Sequence, residues 1–102
     1  MLRMREMNRT VEAVTLAVDG RVAGDSVRAL EREGTRLLAE AGRLILQLDD
    51  TQYIDAEGLA LLRRWRGRHL RLCGGSAFVR ALLRRHGWGD DDTLDQPNCG
   101  SS

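Results

Sequence analysis

The chain has 102 residues, 42 % hydrophobic and 30 % charged, which describes one small globular domain and leaves no room for two. Its longest apolar stretch, Leu59 to Leu62, has four residues against the roughly 20 a helix needs to cross a bilayer, so no membrane insertion is expected. The net charge of +1 is unevenly spread: every basic residue is Arg, and the stretch Leu59 to Gly89 carries Arg63, Arg64, Arg66, Arg68, Arg71, Arg80, Arg84 and Arg85 with no acid.

Such an arginine-rich stretch suits an anionic partner. Without interleaved aromatics or a groove-reading motif, the plainer reading is a set of solvated helix faces, and nucleic acid is not expected. Cys73 and Cys99 are too few for a disulfide framework or a zinc site. The opening MLRMREMNRT lacks the apolar core of a secretory signal. A cytoplasmic protein is expected.

In chain order, Leu2 and Met4 alternate with Arg3 and Arg5, a short edge strand. Val14, Leu16 and Val18 alternate with Thr15 and Ala17, a clearer one. Few residues separate them, so the two predict an antiparallel hairpin, although no Asn-Gly turn signal joins them. Gly24-Asp25-Ser26 offers a helix cap from Asp25 or Ser26. Val27, Leu30, Gly34, Leu37, Leu38 and Ala41 then trace one helical face as far as Gly42, a left-handed stop. Gly34 on that apolar face costs about 1 kcal/mol against Ala, which predicts close packing there, with a sheet as the expected neighbour.

Leu44, Ile45, Leu46 and Leu48 form a nearly unbroken apolar run, the mark of a strand covered on both faces. Asp49-Asp50-Thr51-Gln52 reads as a polar loop, and Tyr53-Ile54 returns to the core. A second helix carries Leu59, Leu61, Leu62 and Trp65 and ends near Gly67. His69 to Cys73 reads as a short strand, Gly74-Gly75-Ser76 as a turn with a cap, and Phe78, Val79, Leu82 and Leu83 as the apolar face of a third helix ending at Gly87. The fold class is α/β: a small mixed sheet with an N-terminal antiparallel hairpin, then parallel strands linked by helical crossovers, and helices mainly on one face. The expected domain covers 1–88, followed by an acidic tail, 89–102, with too little apolar content to order itself.

The stretch YIDAEGLALL holds the candidate chemistry. Asp55 stands where a helix begins, and as N-cap it would accept from the N–H of Glu57 or Gly58. Glu57 in the first turn gains from the same helix dipole. A glycosidase pair needs a cleft between its carboxylates, which two residues on one tight turn do not provide. Asp49, Asp50, Asp55 and Glu57 lack the alternating spacing of a calcium loop. Gly74-Gly75-Ser76 has no phosphate-binding lysine, and His69 with Cys73 is more simply a strand-edge imidazole beside a small buried thiol. No enzyme, metal or cofactor is expected.

The succession VTLAVDGRV, helix, LILQLDDTQYIDAEGLALL, short strand and helix resembles the STAS domain, the family of anti-sigma-factor antagonists and of cytoplasmic domains of sulphate transporters. The most specific part is Tyr53-Ile54-Asp55-x-x-Gly58-Leu59, set against the family pattern aromatic, aliphatic, Asp-Ser-Ser-Gly-Leu. That resemblance implies a non-enzymatic interaction module in bacterial regulation. In such regulators the serine before the glycine is phosphorylated by an anti-sigma factor that is also a kinase, and phosphorylation breaks their complex. Here Ala56 and Glu57 replace the two serines, so the phosphoacceptor-equivalent position holds Glu57. A fixed carboxylate there imitates phosphoserine imperfectly or marks a lost switch.

The implied partner surface is Asp55, Ala56, Glu57, Gly58 and Leu59, the loop Gly24, Asp25 and Ser26, and the arginines Arg63, Arg64 and Arg66 of the helix that follows. Gly58 is expected to let a partner backbone approach, and the arginines to meet partner acids. The expected partner is a protein: an anti-sigma kinase-like ATPase or, if the chain serves a phospholipid-type membrane ABC transport complex, that transporter's ATPase subunit. A homodimer stays open, as does an anion- or nucleotide-binding role for the arginine-rich half.

Overall fold

The computed structural model describes residues 2–66, 70–88 and 93–94. Strands β1 (Leu2–Arg9) and β2 (Val14–Val22) form the antiparallel hairpin, with Met4 opposite Val18 and a bulge between Glu6 and Asn8. In place of Asn-Gly, Thr10 builds the turn. Its hydroxyl accepts from the N–H groups of Glu12 at 3.2 Å and Ala13 at 3.0 Å, a side-chain substitute for a backbone turn.

Helix α1 (Asp25–Ala41) crosses to β3 (Leu44–Gln47) and ends as expected on Gly42, whose left-handed backbone lets its N–H reach the Leu38 carbonyl. After β3 come β4 (Thr51–Ile54), α2 (Ala56–Trp65), β5 (Leu70–Cys73), α3 (Ala77–Arg85) and the two-residue β6 (Thr93–Leu94). The six-stranded sheet runs β1-β2-β3-β5-β6, and β4 pairs with β2 beyond the end of β3. All pairings except β1 with β2 are parallel. The fold class read from the sequence is the one observed. Strand β6 lies past the expected boundary at 88, and the rest of 89–102 lies outside the described residues, as do Gly67 and His69.

The reading of Thr51-Gln52 as loop is corrected, because β2 is long enough to pair twice. Val14 to Ala17 hold β3, and Gly20 to Val22 hold β4. The β2–β4 ladder slips between Gly20 and Arg21, and between the two paired stretches the buried Thr51 hydroxyl donates to the Val18 carbonyl at 2.5 Å. That bond gives the buried Thr51 hydroxyl its partner.

The apolar row of the sheet, Val14, Leu16, Val18, Leu44, Leu46, Leu70 and Leu72, is covered by Val27, Leu30 and Leu37 of α1, Leu59, Leu61 and Leu62 of α2, and Val79 and Leu83 of α3. Two further details differ from expectation. The neighbour that Gly34 admits is the indole of Trp65 on α2, not a strand: a Cβ on Gly34 would collide with that ring. Phe78, placed on the apolar face of α3, is 57 % exposed. Trp88 is buried beneath the Arg66 guanidinium, 5.1 Å from its ring centre.

Candidate docking surface at the start of helix α2

Because β2 runs parallel to β4, the two strands end together, and the chain turns from each into a helix within a few residues. Asp55 joins the two turns. Its N–H donates to the Val22 carbonyl at 2.9 Å, fastening the end of β4 to β2. Its Oδ1 accepts from the Gly58 N–H at 2.8 Å, the N-cap bond expected from its position. Its Oδ2 accepts from the Gly24 N–H at 3.1 Å, across 31 residues. Both oxygens are occupied within the chain.

That second bond corrects the expected cap of α1. Neither Asp25 nor Ser26 caps it; the capping position is Gly24, with φ 58° and no side-chain bond of its own. The backbone supplies its first turn, Ser26 donating to Ala23 and Val27 to Gly24, and Asp55 holds the remaining Gly24 N–H. Asp25 is exposed and Ser26 half-buried beside this turn.

Gly58 and Leu59 lie under the surface. A Cβ on Gly58 would come within 2.9 Å of the Ile54 and Val22 methyls and 3.0 Å of the Val22 carbonyl oxygen. The backbone that approaches Gly58 is therefore the chain's own, which corrects the expected role. Leu59 is buried in the core. What faces outward is Ala56, Glu57 and Ala60. Among the described residues the Glu57 carboxylate has no hydrogen-bond or ion-pair partner, and it stands at the positive end of the α2 dipole.

The three arginines are engaged internally. Arg64 pairs with Glu31 of α1 at 3.0 Å, Arg66 donates to the Gly87 carbonyl at 2.9 Å, and Arg63 reaches the His86 carbonyl at 3.4 Å. They tie α2 to α1 and to the end of α3. Arg63 and Arg64 are still exposed, as is Arg66.

The Gly74-Gly75 turn already holds an anion, its own Asp49, which accepts from the Gly75 N–H at 3.2 Å and from the Gln47 amide at 2.9 Å. Ser76 spends its oxygen on the Val79 N–H at 3.1 Å. A phosphate reading of that turn is therefore set aside. The four acids from Asp49 to Glu57 do not gather either, since Asp49 and Asp55 each serve backbone N–H groups. Among the described residues no group of three or more His, Cys, Asp or Glu side chains could hold a metal ion. Cys73 is buried and is not a free thiol.

Beside this turn lies a ledge that no local sequence pattern announces. The Arg21 guanidinium lies 5.6 Å from the Tyr53 ring centre, and Tyr53 stacks on Phe78 with centroids 6.3 Å apart and planes at 25°. Arg21 and Tyr53 are paired across β2 and β4, so recognising β4 would have placed them together. Phe78 carried no local signal for exposure.

The family model described as "Mlab, STAS domain" matches residues 6–95. Among solved structures, the anti-sigma factor antagonist SpoIIAA in its unphosphorylated form is similar with a TM-score of 0.75 and 18 % identity, over 96 % of this chain and 90 % of that one. The Bacillus cell fate determinant SpoIIAA in the phosphorylated form is similar with a TM-score of 0.70 and 17 % identity, over 96 % and 93 %. No curated protein matches the chain. Among the described residues no helix is long and apolar enough to cross a membrane.

Proposed function

This chain belongs to the STAS domain family, and from that premise we propose that it is a non-enzymatic, cytoplasmic protein-interaction module resembling an anti-sigma-factor antagonist, docking through the start of α2. The observation that carries the reading is the contrast within one turn: Asp55 has both oxygens committed, and Glu57, two residues on, presents an exposed carboxylate with no partner among the described residues. The turn beneath is fastened to β2 and to the start of α1, so the charge is held on a firm base and little ordering entropy is lost when a partner meets it.

Glu57 stands at the position where the family carries its phosphoacceptor serine. It cannot be phosphorylated. A carboxylate supplies about one negative charge, where a phosphate supplies about 1.5 to 2 and three acceptor oxygens, so it imitates the modified state in sign but not in strength. Ala56, Asp25 and Gly24, all exposed beside it, complete the contact, and Asp55, Gly58 and Leu59 support it from below.

The family model's description favours a second reading within the same surface: a STAS-type subunit of a phospholipid-type membrane ABC transport complex, seated on the ATPase subunit. A fixed Glu57 suits this equally, since such a subunit needs no phosphoswitch.

The test is a pull-down from lysate of the source organism with tagged wild type and Glu57→Ser, each analysed by mass spectrometry. Retention of a kinase-like ATPase supports the first reading, and retention of a transporter ATPase the second. Capture of the kinase-like protein by Glu57→Ser alone identifies Glu57 as a permanent imitation of phosphoserine. If neither retains an ATPase and nucleic acid or nucleotide co-purifies instead, the docking reading fails and the arginine-rich half becomes the working surface.

A further inference from the structure

The exposed face of α2 is complementary to itself. Ala56, Glu57, Ala60, Arg63 and Arg64 are all exposed, and at 3.6 residues per turn they fall within about 120° of arc with Ala60 at the centre. Glu57 and Arg64 share one edge of this stripe, about 5 Å to either side of Ala60 along the axis; Ala56 and Arg63 share the other edge. A two-fold axis that crosses the helix at Ala60 therefore lays each Glu57 against Arg64 of a second copy, and each Arg63 over a second copy's Ala56. An isologous contact requires this exchange of positions, in which i meets j and j meets i.

We propose that two copies of this chain associate through α2, antiparallel, with Ala60 at the two-fold axis and two Glu57–Arg64 pairs across it. Four physical points carry it. The Glu57 carboxylate has no partner within the chain's described residues. Among the described residues Arg64 uses only Nη2, on Glu31, which leaves donors for a second carboxylate. Ala60 is small enough to let the two helices approach, and antiparallel dipoles oppose favourably. A ten-residue helix offers less than the ~800 Å² per partner of a standard interface, so the dimer is weak, with a Kd on the order of 0.1 mM.

This dimer covers the same face that the proposed function gives to another protein, so the two complexes exclude each other. It does not rest on that reading, because its test needs only the purified chain. Sedimentation equilibrium from about 10 µM to about 1 mM reads the association, and amide shifts over the same range locate it. For the wild type we expect a concentration-dependent rise in mass, with shifts centred on Ala56 to Arg64. Glu57→Arg alone and Arg64→Glu alone each weaken association at least about tenfold by placing like charges together. An equimolar mixture of these two variants restores it, since both cross-axis pairs are then attractive; the double variant E57R/R64E does the same. Circular dichroism of each variant separates loss of association from loss of fold. A wild type that stays monomeric throughout, a Glu57→Arg chain that associates as tightly as wild type, a mixture that remains monomeric, or shifts confined to another face each overturns the proposal.

Discussion

The starts of α1 and α2 lie side by side at the ends of two parallel strands, yet they are built differently. Helix α2 is capped by its own Asp55, whereas α1 begins on Gly24 with no side-chain cap and depends on the same Asp55 from 31 residues away. One half-buried carboxylate thus organises both turns, and the exposed acids, Asp25 and Glu57, are relieved of structural work. The lesson is that two carboxylates separated by a single residue in sequence can carry opposite duties, and that their hydrogen-bond partners, not their spacing, assign them.

The difference between the two turns depends most on Asp55. Asp55→Ala removes both bonds at once and leaves the Gly24 and Gly58 N–H groups without acceptors, with an expected loss of about 3 kcal/mol of stability in chemical denaturation. Asp55→Asn keeps an oxygen for Gly58 but not for Gly24, so a loss of about 1 kcal/mol with amide shifts concentrated at Gly24 to Val27 would separate the two turns. Gly58→Ala forces a methyl against Val22 and Ile54, and an expected cost of about 2 kcal/mol follows from overpacking. Glu57 behaves in the contrary way: Glu57→Gln changes stability by only about 0.5 kcal/mol, the scale of a first-turn charge on the dipole. A drop as large as that at Asp55 would show that Glu57 is structural after all.

The smallest expected effect lies at the far end of the molecule. Arg9 bonds both Glu6 and Glu40, and Arg36 bonds Glu33 and Glu40. The hydrogen bonds from Arg9 hold the Glu6 and Glu40 carboxyls below their ordinary range. A carboxyl whose folded value is depressed contributes stability that is present above its unfolded value and lost as pH falls through the folded one. These pairs are exposed, so a slight loss of stability below about pH 4.5, screened by salt and smaller in Arg9→Gln, where Arg36 still bonds Glu40, is the expected result.

The hairpin and α1 were legible because their apolar residues keep one period along the chain: Val14, Leu16 and Val18 by twos, Val27, Leu30, Gly34 and Leu37 by threes and fours. Strand β4 was not, since Thr51 and Gln52 carry no apolar alternation, and Thr51 is buried only because its hydroxyl finds the Val18 carbonyl 33 residues away. The N-cap bond of Asp55 was legible from its place before Gly58; its second bond needed the register of β2 and β4. The same limit applies to Phe78, whose ring leaves the core to meet Tyr53 across an α3–β4 contact that no local pattern announces.

The chain has only two tryptophans, and they are differently seated. Trp88 is buried under a guanidinium, whereas half-buried Trp65 rests in the notch that Gly34 leaves on α1. With Trp88 replaced by Phe, the emission of Trp65 becomes a single-wavelength gauge of the distance between α1 and α2. The molecule thus carries its own optical sensor for whether anything docking on α2 pries those two helices apart.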